Sequence, residues 1–197
     1  MKLKIPNDAK MKELILHVAK ASEKDEKFGA AKLNKILFYA DFLSYLKRGH
    51  SITGQEYFAL DEGPAPQRLL PIREAMLDKD EIAIQKTNYF GFPQERVVAL
   101  RSPNYDRLEA EDIATVGFVL SRLRDMNGTE VSNLSHQFIG WQMAFKKGRK
   151  TVIPYSVARF HVQAFLGIDP PELPPSLVQH AKALHRRLVP PQSRAAA

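Results

Sequence analysis

The 197-residue chain has no cysteine, which removes disulfides, thiolate zinc sites and cysteine nucleophiles and suits a reducing compartment. It also lacks long apolar runs: no uninterrupted stretch approaches the roughly 18 residues that cross a bilayer. The N-terminus, MKLKIPNDAK, carries charge without the apolar core of a signal peptide. These features lead us to expect a cytoplasmic protein with no membrane segment. A glycine-rich phosphate loop, a zinc-protease helix and a nucleophile elbow are missing as well. Of the six histidines, His180 and His185 are five apart and so fall on different faces of one helix. No catalytic site, metal or cofactor is expected.

What is present is an ordinary globular composition, 44% apolar and 26% charged, in a chain of about one domain's length. The net charge of +7 is uneven: residues 1–141 hold 20 Lys and Arg against 20 Asp and Glu, whereas residues 142–197 hold 9 against 2. Such an end suits an acidic or nucleic-acid partner, unless it is only a solvated face.

The central stretch runs from Ala30 to Pro66. Leu33, Ile36, Leu37, Ala40 and Leu43 recur on one helical face, and Phe38, Phe42 and Tyr45 on a nearly opposite one. A helix apolar on both faces belongs in the middle of a domain. Gly49 closes it, after the cations Lys47 and Arg48. Lys32 and Lys35 are expected to snorkel from the seams between the faces, and Asp41 to bond nearby backbone or a cation. Before this helix, Met11, Leu14, Ile15 and Val18 mark an amphipathic helix that Asn7 or Asp8 can cap. After it come a turn at Thr53-Gly54, an extended piece over 57–60, and Gly63-Pro64-Ala65-Pro66, read as a rigid elbow.

The next helix spans Leu69 to Leu77 and is expected to restart or kink at Pro71. Residues 81–87 and 95–101 read as a β-hairpin joined by NYFGFPQ, with an exposed aromatic tip. A long helix follows around Ile113 to Leu123, then a short one capped by Thr129, then Trp141, expected to anchor in the core. His136 is expected to sit hydrogen-bonded in a polar turn rather than act as a base. Lys146, Lys147, Arg149 and Lys150 are assigned to a loop. Pro154 opens a helix bearing Arg159, and a last helix after the prolines of 168–175 bears Arg186 and Arg187. These seven cations are the candidate partner-binding surface. The fold class expected is mainly α (α+β): a compact multi-helix domain around a central buried helix, with one small β-hairpin.

The strings KLNKILFYADFL and ITGQEYFALDEGPAP, with SNLSH, Trp141 and IPY further on, resemble the signature of the SocA-like antitoxin (Panacea) domain, known from bacterial and phage genomes. The likeness runs from roughly Lys10 to Phe165. The residues it carries over are Lys32, Leu33, Lys35, Tyr39, Asp41, Thr53, Gly54, Tyr57, Gly63, Pro64, Pro66, Ser135, His136, Trp141, Pro154 and Tyr155. Ala65 stands where the family often has valine. The resemblance implies a domain over 1–167, leaving 168–197 as a proline-rich connector, C-terminal helix and frayed basic tail. It further implies the antitoxin of a type II toxin–antitoxin pair, not an enzyme, neutralising a cognate toxin protein by direct contact. The alternative is a nucleic-acid binder that uses the basic end.

Overall fold

A computed structural model describes residues 6–89 and 91–159. The expected helix beyond Arg159, the 168–197 segment with Arg186 and Arg187, and Phe90 at the hairpin tip lie outside the described residues.

Among the described residues the mainly α (α+β) class holds, with six α-helices and two antiparallel hairpins. Helix α1 (Asp8–Ala21) starts where the Asn7 side chain accepts from the Lys10 N–H, satisfying one of the free amides of the first turn. Helix α2 (Ala30–Arg48) is the centre. Every residue from Ile36 to Tyr45 is buried, and both apolar faces are covered. The helix ends at Gly49, whose φ of 76° suits glycine and whose N–H donates to Tyr45 O.

Strands β1 (Tyr57–Leu60) and β2 (Gly63–Pro66) form a first hairpin, so the expected elbow is in fact a strand. The register explains how a strand tolerates two prolines. Gln67 N donates to Glu56 O, so the alternate positions 65 and 63 face β1, while 64 and 66 face outward. Both prolines thus sit where a missing N–H breaks no ladder bond. On its other side β1 is bonded to residues 150–153, with a bridge between Phe58 and Val152.

Helix α3 (Leu69–Leu77) begins two residues before Pro71 and is not broken there. Pro71 lies in the first turn, where its absent donor had no partner to lose. Strands β3 (Ile82–Tyr89) and β4 (Phe92–Ala99) are longer than expected, pairing in register from Ile82 with Ala99 up to Tyr89 with Phe92, with Gly91 at φ 88° just before β4. Helix α4 (Ala110–Leu123) carries the expected acids in its first turn, with Glu109 and Asp112 capping reciprocally. Helix α5 (Gly128–His136) is capped by Asn127 with Glu130, not by Thr129. Helix α6 (Ile139–Lys147) contains Lys146 and Lys147 in its last turn, so only Arg149 and Lys150 are in the turn beyond it. After Pro154, Tyr155–Val157 form a 3-10 turn. No helix of the described residues is long and apolar enough to cross a membrane.

Candidate functional site

The polar motif residues gather around the first hairpin in two clusters. The first is built on Asp41, which is fully buried on α2. Its Oδ1 accepts from Thr53 N at 2.8 Å, and its Oδ2 accepts from the Thr53 hydroxyl and, at 2.8 Å, from Tyr57 OH. Tyr155 OH lies 3.4 Å from the same oxygen and donates more closely to Gln55 O, at 2.6 Å. The Thr53-Gly54 turn can point at Asp41 because Gly54 takes φ 71° and Ser51 Oγ accepts the Gly54 N–H. Among the described residues no cation takes part. Burial raises the Asp41 carboxyl above the usual range, while its hydrogen bonds from Thr53 and Tyr57 oppose the rise. Burial, then the Asp41 charge, pushes the Tyr57 and Tyr155 phenols up as well.

The second cluster caps the outer edge of β2. Lys35 Nζ donates to Glu62 O at 2.5 Å and to Pro64 O at 3.4 Å. Residues 64 and 66 bring no outward N–H, and the ammonium satisfies outward carbonyls, so this edge is closed to further pairing. Lys35 is only 1% exposed, as is Lys32, and neither snorkels. Both ammonium groups are covered and end on partners within the chain instead, Lys32 on Asp25 Oδ2 at 2.7 Å and Arg124 O at 2.8 Å. Burial lowers the Lys35 ammonium to about 8, with the Glu62 charge opposing. Gly63, at φ 95°, lies against this group: a Cβ there would come within 2.3 Å of Ser135 Oγ and 2.9 Å of Lys35 Cε.

Ser135 and Lys35 could suggest a nucleophile and its base. Both are sealed beneath β2, however, and the serine hydroxyl donates to Ser132 O at 2.7 Å. His136 is not held by hydrogen bonds from a polar turn. Its ring stacks on Trp141 at 4.2 Å between centroids, Phe145 stacks on the same indole at 4.8 Å, and the histidine Nε2 is buried without a hydrogen-bond partner among the described residues. Trp141 is half-buried and anchors α6 to the hairpin through Nε1, which donates to Leu60 O at 2.9 Å. Leu33 and Tyr39 are core residues. A surface cavity of 720 Å³ lies elsewhere, over the α1–α2 turn and the end of α4, and its charged lining balances Lys20, Lys24, Lys27 and Arg124 against Glu23, Asp25, Glu26 and Asp125.

The family model for the SocA-like antitoxin, Panacea domain, matches residues 33–142. The chain belongs to this family. No curated protein and no solved structure is significantly similar to it. Within the Panacea domain the motif is a construction kit: α2 supplies Lys35 and Asp41, and the hairpin and α5 close over them. Three expected motif residues, Lys32, Pro154 and Tyr155, fall outside the matched range, yet Tyr155 is bonded to Gln55 inside it. Sequence reading missed Gln55, whose carbonyl receives Tyr155, and the ion-pair group of Lys10, Arg48 and Asp112 that joins α1, α2 and α4. The sequence signal for the latter was weak: only the acid at the third position of α4 marks it.

Proposed function

We propose that this chain is the antitoxin of a type II toxin–antitoxin pair and holds a cognate toxin protein inactive by direct contact, in the cytoplasm and without a catalytic step of its own. The observation that carries this reading is the family match over more than half of the chain. The site geometry supports it. Asp41, Lys35 and Ser135 are turned inward and bonded within the chain, so they hold a scaffold in shape and leave partner contact to the outer surface.

Expressing the gene beside this one, alone and together with this chain, tests the reading. The neighbour should stop growth alone, and growth should return when this chain is supplied. A neighbour that is harmless alone, or lethal despite an equal level of this chain, refutes it. The competing reading, nucleic-acid binding through the basic C-terminal end, would instead give duplex affinity that falls steeply with salt.

A further inference from the structure

We draw no further inference here: the strongest candidate, the outward face of helix α3 where Leu70 and Leu77 stand exposed on one side of the helix, opposite the buried Leu69, Ile72 and Met76, is an unpartnered apolar face, and nothing in the structure shows what covers it.

Discussion

Replacing Lys35 by methionine separates the charge of this side chain from its bulk. In the fold its ammonium sits near 8 because burial disfavours the charged form, whereas in the unfolded chain it titrates at its ordinary 10.5. At neutral pH both states are protonated, and burying the charge costs about 3 kcal/mol, partly offset by the bonds to Glu62 O and Pro64 O. As pH rises above 8 the folded state releases the proton while the unfolded chain keeps it. The unfolded state then binds more protons, so stability must rise with pH, by about 2 kcal/mol at pH 9.5 from this group alone. Tyr39, Tyr57 and Tyr155, whose phenols are raised by burial, act in the opposite sense only above about 10, where unfolded tyrosines ionise.

In Lys35→Met the burial cost disappears, but two carbonyls at the β2 edge lose their donor, at about 1–3 kcal/mol each where they are shut off from water. Parent and variant should therefore lie within a few kcal/mol at pH 7, and the parent should pull ahead as pH rises toward 9.5. Urea unfolding at a series of pH values, followed by the fluorescence of Trp141, the only tryptophan, measures this. A parent-minus-variant difference that stays constant from pH 7 to about 9.5 would refute the buried, depressed lysine.

Gly63→Ala places a Cβ against Ser135 Oγ and Lys35 Cε at a left-handed φ, and should destabilise the domain by about 3 kcal/mol, read as a melting temperature lower by about 10 °C. Asp41→Ala strips the acceptor from Thr53 N, the Thr53 hydroxyl and Tyr57 OH, and should cost about 3 kcal/mol in urea unfolding. Because the Asp41 carboxyl is raised in the fold, its contribution is full at acid pH and declines as pH rises through its folded value, so the loss should be larger at acid than at neutral pH. Trp141→Phe keeps an aromatic ring against His136 and Phe145 but leaves Leu60 O without its donor; it should cost about 1 kcal/mol and speed amide exchange in α6.

The sequence by itself determined the main elements. Apolar residues at helical spacing marked α1, α2 and α4, and the two-faced pattern of α2 placed it at the centre, because a helix apolar all round has nowhere else to go. Turn residues were less decisive. Gly63-Pro64-Ala65-Pro66 is unfavourable as an isolated strand, and it became β2 only because its register turns both prolines outward and Lys35 covers the exposed carbonyls. Burial of Lys32, Lys35 and Asp41 was likewise a tertiary decision. Polar side chains on a helix look like seam residues until the fold brings acceptors and donors to them, and here these come from far along the chain: Arg124 O for Lys32, Glu62 O for Lys35, and Thr53 and Tyr57 for Asp41. Local periodicity reports which surface a residue shares with its neighbours. It carries no information about the partner across the core, and for a buried charge that partner decides everything.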